Sequence, residues 1–399
     1  MMGFPKQLDN LVSGGDEFTL VLATVFAEKK QSILLVDEHE DIRFPTPVKL
    51  SYLEKRFFQE VGKQFNNDVL INIERYIKPV SLALYSQNHS LSFISGPAQN
   101  GIELKRKFQL KSDLTFDSTF EVRFFELVEK FLTLSLKAYS HTVAVNKFLK
   151  EEKTNIAWAI DLGKELSLLF PASSFFVRGY FSEKSFPELY YIYLTLTLLG
   201  PLYHYDSNSF RHSLLEEYKK KGGHHKKTFC RKFEKQKKSW VVELDSFEGL
   251  VYPQKVFLEK DLICPEVKDS LTRYSAWDVL VELDISLPWN QIILPHHNLQ
   301  GGFVPYSELI QISNEKWLWR AYLEQPHMAH PDQLTLFLEE VFNQNMSSLP
   351  FAHHCKNRAA FGRCLENYCY YYDVKMKGTR SQRGIFPSLL RLSDAIMGL

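Results

Sequence analysis

Apolar and polar positions along this chain fall into short blocks, and the blocks predict its elements. Phe18 to Phe26 and Ser32 to Val36 are rich in Val, Leu and Ile, with Glu28-Lys29-Lys30 between them. That pattern predicts two strands joined by a tight connection. Residues 51–65 predict a helix, since Leu53, Phe57, Val61 and Phe65 recur every four residues behind a Ser51-x-x-Glu54 capping box. The runs Val69-Leu70-Ile71, Val80 to Tyr85 and Leu91 to Ile94 predict short strands. A second box, Ser118 to Glu121, opens the longest helical pattern, which runs to about Lys150 with Phe124, Leu127, Phe131 and Leu134 on one stripe. A third, Ser185 to Glu188, opens an apolar helix that Gly200-Pro201 stops. Strands follow at Trp240 to Leu244 and Val279 to Ile285. A last helix starts at Pro331-Asp332, with Leu334, Leu338, Val341 and Phe342 inward.

These elements imply an α+β chain of two or three domains, with mixed antiparallel sheets, packed helices and a small C-terminal cysteine-rich module. Boundaries are expected near 150, 270 and 347. They divide the 399 residues into 1–150, 151–270, 271–346 and 347–399. Hydrophobic residues make up 45% of the chain, which excludes a wholly disordered one. The net charge is only +1, so any preference for a charged partner must come from local clustering. The first residues lack a basic segment followed by an apolar one, so no secretory signal is expected. The longest apolar run, Leu189 to Leu202, is shorter than the ~20 residues a bilayer requires. Three of the five cysteines fall between Cys355 and Cys369. An odd, clustered set points to a reducing compartment, cytoplasmic or nuclear, rather than to disulfides.

The cysteine cluster is the first chemical signal. It reads Cys355, eight residues, Cys364, four residues, Cys369, three residues, Asp373, with His353-His354 just before it and Gly362 in the first loop. Closely spaced thiolates suit tetrahedral Zn²⁺. The segment resembles a CCCH-type zinc finger, with Cys355, Cys364 and Cys369 at the ligand positions and His354 or Asp373 as the fourth ligand. The second gap is one residue short of that family's usual five, and Asp373 stands where the family has histidine. The resemblance implies a surface on which Tyr370, Tyr371 and their neighbours stack on single-stranded RNA.

The second signal is charge. Lys219, Lys220, Lys221, Lys226, Lys227, Arg231, Lys232, Lys235, Lys237 and Lys238 share one twenty-residue stretch with a single acid, Glu234. Phe229, Phe233 and Trp240 are interleaved, and Gly222-Gly223 suggests a flexible joint. Such a block favours a polyanion, with bases stacked on the rings. Between Phe351 and Gly384 seven more basic residues, Arg358 and Arg363 among them, outnumber two acids.

The third is a pair of similar strands, Val241-Val242-Glu243-Leu244-Asp245 and Leu280-Val281-Glu282-Leu283-Asp284. Positions two apart face one side of a strand, so Glu243 with Asp245, and Glu282 with Asp284, are candidates to hold Mg²⁺ for nucleotidyl or phosphoryl transfer. The chain has no Gly-x-Gly-x-x-Gly and no phosphate loop of the Gly-x-x-x-x-Gly-Lys kind. The expectation is therefore a nucleic-acid-binding protein, RNA or single-stranded DNA ahead of duplex. It would use the basic segment and a zinc-stabilised module presenting Arg358, Arg363 and Tyr371. A Mg²⁺-dependent transferase on the acidic strands, and a scaffold subunit of a larger complex, are the alternatives.

Overall fold

The computed structural model describes residues 7–258, leaving aside 16, 38–46, 86–89, 94–95, 108–109, 111–113, 138–140, 170–186, 238 and 246–248. Beyond these it describes 275–282, 290–294, 297–299, 302–304, 307–313, 316–323 and 370–372. The helix expected from Pro331, the cysteine cluster and the basic tail lie outside the described residues.

The chain is α+β. It opens with β1 (Gln7–Ser13), α1 (Glu17–Glu28) and β2 (Ile33–Asp37). The two strands are parallel, in register from Asn10 with Ile33 to Ser13 with Val36. Phe18 to Phe26 is therefore helix, where the apolar pattern predicted a strand. The cause is burial on every side: all residues from Glu17 to Ala27 are buried. A helix with no polar face shows no 3.6-residue period, and its β-branched Thr19, Val21, Thr24 and Val25 imitate a strand.

The next elements are β3 (Pro47–Ser51), α2 (Tyr52–Gln64), α3 (Asp68–Ile71), β4 (Ile77–Val80), β5 (Leu82–Tyr85), β6 (Ser90–Phe93) and α4 (Pro97–Lys107). The Ser51 box forms as expected. Glu54 N donates to Ser51 Oγ at 3.3 Å, and Ser51 N donates to Glu54 Oε2 at 2.5 Å. Val69-Leu70-Ile71 is helical rather than extended, because Asn67 caps it by accepting from Leu70 N at 3.1 Å. The long helical pattern is broken into α5 (Ser118–Lys137) and α6 (His141–Glu151). Asp117 rather than Ser118 caps α5, accepting from Phe120 N at 3.0 Å.

Then come α7 (Lys153–Leu169), α8 (Pro187–Leu199), β7 (Leu202–Asp206), α9 (Ser207–Lys220), β8 (His224–Lys227), β9 (Cys230–Lys235), β10 (Trp240–Leu244) and β11 (Leu250–Leu258). The remaining strands are β12 (Ser275–Glu282), β13 (Gln291–Leu294), β14 (His297–Leu299), β15 (Gly302–Val304), β16 (Ser307–Gln311), β17 (Lys316–Leu323) and β18 (Tyr370–Tyr372). No helix among the described residues is long and apolar enough to cross a membrane.

One sheet has the order β8-β2-β1-β11-β10-β9. Its four strands β8, β2, β1 and β11 run parallel, β10 is antiparallel to β11, and β9 is antiparallel to β10. The parallel part is buried on both faces. Ile33 and Leu35 point into the main core with α1, whereas Leu34 and Val36 join Leu11, Val242 and Val251 on the other face. Such double burial explains why β2 reads as an unbroken apolar run. A second sheet has the order β18-β12-β17-β16-β13-β5-β6, and β3-β7-β4 form a third.

Candidate functional site

Strand order in the first sheet reverses at β1. The chain passes from β1 through α1 to β2 and later to β8 on one side, and β11 then returns to the other side. In open sheets of this kind small ligands lie outside the carboxyl ends of the strands, where the order reverses. The register identifies those ends here: Ser13 beside Leu258 and Val36, and Asp37 beside Lys227.

The turn out of β1 is Ser13-Gly14-Gly15. Gly14 has φ of 137°, a conformation that residues with a Cβ rarely adopt. Its N–H donates to Val36 O at 2.9 Å, which ties the turn to β2. The helix that follows is twelve residues long, so the positive end of its dipole lies at this turn. Glu17 lies in that turn, but its carboxylate is turned inward. Oε1 accepts from the Tyr205 hydroxyl at 2.7 Å, and both residues are buried. Burial, reinforced by the Glu17 charge, pushes the Tyr205 hydroxyl well above its ordinary pKa, so it remains a donor.

Asp37 ends β2 and is buried. Arg211 of α9 reaches it across the turn. Its Nη2 stands 3.6 Å from Asp37 Oδ1, and its Nε donates to the Gly15 carbonyl. From β8, His225 Nε2 lies 3.5 Å from Asp37 Oδ2. Tyr218 of α9 locks β8 to β2 by donating to His224 O at 2.7 Å and Ile33 O at 3.2 Å. Burial pushes its hydroxyl far up as well. The site is thus a glycine turn, a helix start, one carboxylate and one guanidinium on four neighbouring elements.

The apolar pattern, which suggests two plain strands, conceals this constellation. Its signal was the spacing: Gly14-Gly15 after a strand, an apolar stretch of helix length, then Asp37 closing a strand, 23 residues beyond Gly14. Against the Gly-x-Gly-x-x-Gly pattern, Ser13 and Phe18 stand at the first and third glycine positions and only Gly15 remains. The Phe18 ring packs on Phe58 of α2, with ring centroids 6.3 Å apart.

The basic segment does not form a free polycationic loop. Gly222-Gly223 is the stop of α9, with Gly222 at φ 84° and Gly223 N donating to Tyr218 O at 3.1 Å. The segment continues as β8 and β9 of the sheet. Lys219 pairs with Glu216 at 3.1 Å, and Lys221 binds Glu28 and lies 3.5 Å from Glu217. Arg231 pairs with Asp245, and Lys232 lies 3.4 Å from Glu234. Lys235 sits over the Trp240 ring, 5.8 Å from its centroid. Lys220 ends α9, Lys226 and Lys227 lie on β8, and Lys237 follows β9. Lys238 lies outside the described residues.

The acidic strands are not brought together. Glu243 and Asp245 flank the end of β10 in the first sheet, and Asp245 is spent on Arg231. Glu282 ends β12 in the second sheet, in register with Lys316. Asp284, Arg358, Arg363, Cys355, Cys364, Cys369, His354 and Asp373 lie outside the described residues. Tyr371 belongs to β18, in register with Trp277 of β12. Among the described residues no group of three or more His, Cys, Asp or Glu is placed to hold a metal ion.

No protein-family model matches the chain. No curated protein sequence matches it either. Among solved structures, halogenase PltM has a TM-score of 0.49 at 10% identity, over 98% of this chain and 68% of that one. The p-nitrophenol 4-monooxygenase PnpA from Pseudomonas putida has 0.44 at 10% identity, over 85% and 63%. The peptidyl tryptophan dihydroxylase QhpG has 0.43 at 8% identity, over 92% and 55%. The chain therefore spans less than two thirds of the last two. Other similar structures are a flavin-dependent monooxygenase, PieE, and a flavin-dependent brominase, Bmp2.

The expectation of an RNA or single-stranded DNA partner is corrected. The lysines that motivated it are distributed over a helix end and two sheet strands, where several are paired with acids. The zinc and magnesium expectations are corrected with it. Among the described residues no group of three or more His, Cys, Asp or Glu could hold a metal ion, and Glu243 and Glu282 lie in different sheets.

Proposed function

We propose that the chain binds the adenine dinucleotide of a redox cofactor, flavin or nicotinamide, at the carboxyl end of β1 and β2, as the cofactor-holding part of an oxidoreductase. One observation carries this: a parallel β1–α1–β2 unit with a positive-φ glycine turn into the helix and an acid closing the second strand, at the point where strand order reverses.

The residues suit such a group. The positive-φ Gly14 turn would let a pyrophosphate approach the backbone at the start of α1, where the helix dipole favours an anion. Arg211 holds the turn in place by donating to the Gly15 carbonyl. Glu17, the one described acid of the first turn, is withdrawn to Tyr205 and does not oppose it. When bound, such a cofactor supplies hydride transfer. The chain's own part is to hold the phosphates at the turn, orient the ribose between β1 and β2, and exclude water with the apolar body of α1. Titration calorimetry of the full chain with FAD, NADH and ADP tests this. Binding of at least one, weakened by Gly14→Val, is expected; binding of none overturns it.

A further inference from the structure

In a nucleotide crevice of this topology, the acid at the end of the second strand ordinarily accepts hydrogen bonds from the ribose hydroxyls. Asp37 occupies that place, yet both of its oxygens already face nitrogen. Arg211 Nη2 is 3.6 Å from one, and His225 Nε2 is 3.5 Å from the other. A ribose diol that took Asp37 would separate it from a guanidinium whose side chain is only 13% exposed. Leaving a poorly solvated cation without its counter-charge is costly.

The guanidinium itself is better placed to receive a ligand. Nε is fixed on the Gly15 carbonyl and Nη2 is turned to Asp37. Nη1 has no hydrogen-bond partner among the described residues, and its fork suits a tetrahedral anion. His225 Nε2, likewise buried, has no hydrogen-bond partner among the described residues. Lys227, the register partner of Asp37, is exposed at the same strand end. The ribose end of the crevice therefore presents the Arg211 guanidinium beside Asp37, where such sites usually present the acid alone.

From this geometry we infer that the crevice selects an adenine nucleotide phosphorylated on its ribose, with Arg211 as the residue that reads the phosphate. The inference rests on the adenine-nucleotide reading of the same crevice. Two chemistries share this feature, a 2′-phosphate as in the phosphorylated nicotinamide dinucleotide and a 3′-phosphate as in coenzyme A.

The test is titration calorimetry of the full chain with adenosine 2′,5′-bisphosphate, adenosine 3′,5′-bisphosphate and adenosine 5′-diphosphate. One of the bisphosphates is expected to bind about tenfold or more tightly than the diphosphate, the gain of a charge-assisted contact. Which of them does so distinguishes the two sources. Arg211→Lys is expected to keep part of the preference and Arg211→Ala to remove it. The ratio between ligands is the readout, and a merely structural loss would lower all affinities together. Equal binding of the three nucleotides, or a preference unchanged in Arg211→Ala, overturns the inference while leaving the nucleotide reading in place. Binding of none of them, nor of FAD or NADH, overturns both.

Discussion

Asp37 at the end of β2 and Arg211 on α9 are 174 positions apart in sequence and 3.6 Å apart in the structure. Their ion pair joins α9 to the carboxyl end of β2. It also pins α9 to the Gly14-Gly15 turn, because the same guanidinium bonds the Gly15 carbonyl. A late helix thereby completes a site begun by the first two strands. Tyr218, one α-turn pair further along α9, repeats the device at the opposite end of β2 by bonding Ile33 O.

The turn itself has the sharpest sequence requirement. Gly14 sits at φ 137°, which a β-branched side chain cannot adopt without strain of ~1–3 kcal/mol. Gly14→Val is expected to lower unfolding stability by that order and to displace the turn that leads into α1. Urea unfolding measures the first effect, and titration with ADP the second. A variant as stable as the parent would show that the turn is not held as described.

Gly163 offers a test in which two effects of opposite sign compete. It lies in α7, and a Cβ there would stand 2.3 Å from the Tyr191 carbonyl oxygen of α8. Alanine is the better helix former by ~1 kcal/mol. The clash is with backbone, however, and overpacking costs ~1–3 kcal/mol. Gly163→Ala is therefore expected to destabilise, read as a lower urea midpoint at unchanged slope. A stabilised variant would mean that α7 and α8 do not approach so closely.

What was legible in the sequence was local. The Ser51-x-x-Glu54 box, the apolar helix stopped by Gly200-Pro201 and the strand at Trp240 to Leu244 each carry their cause within a few residues. The structure has all three. The site was not legible, for a related reason. α1 is buried all round, so its pattern lost the helical period, and the β–α–β unit read as two plain strands. Two of the three fingerprint glycines are Ser13 and Phe18, which hid the turn. Arg211 is an unremarked residue of a polar helix until the fold carries it to Asp37. The basic segment misled in the opposite sense. Its charge is real, but Glu28, Glu217 and Asp245, which answer part of it, are partners that only the fold supplies.

Glu54 joins two bonds that are separable in sequence and coupled in space. It accepts from Ser51 N at 2.5 Å as part of the cap, and from the Tyr193 hydroxyl of α8 at 2.9 Å. Ser51→Ala is expected to cost ~0.5–2 kcal/mol as a lost cap. Tyr193→Phe is expected to cost ~1–3 kcal/mol, since it removes a donor from a buried carboxylate. Because both act through Glu54, the double variant is expected to depart from additivity by ~0.5 kcal/mol or more. Calorimetric unfolding of the four proteins measures this. Strict additivity would show that the cap and the α2–α8 contact are independent.

Acid stability gives a test with a definite sign. The Lys221 ammonium, hydrogen-bonded to Glu28, holds that carboxyl below the usual carboxylate range. Lys55 does the same for Glu74, as does Lys130 for Glu152. A carboxyl with a depressed folded-state pKa contributes stability that is present above its unfolded value, ~4.3 for glutamate. That contribution is lost as pH falls through the folded value. The three pairs should therefore make the protein lose stability on acidification below about pH 4–5. Lys221→Met is expected to remove part of this dependence. It should lower stability at neutral pH and flatten the fall between neutral pH and the acid limb, with the two proteins converging once Glu28 is protonated in both. Urea midpoints collected from pH 7 downward, at low and high salt, provide the measurement. Parallel curves with a constant offset would mean that Lys221 acts by packing its stem rather than through the Glu28 charge.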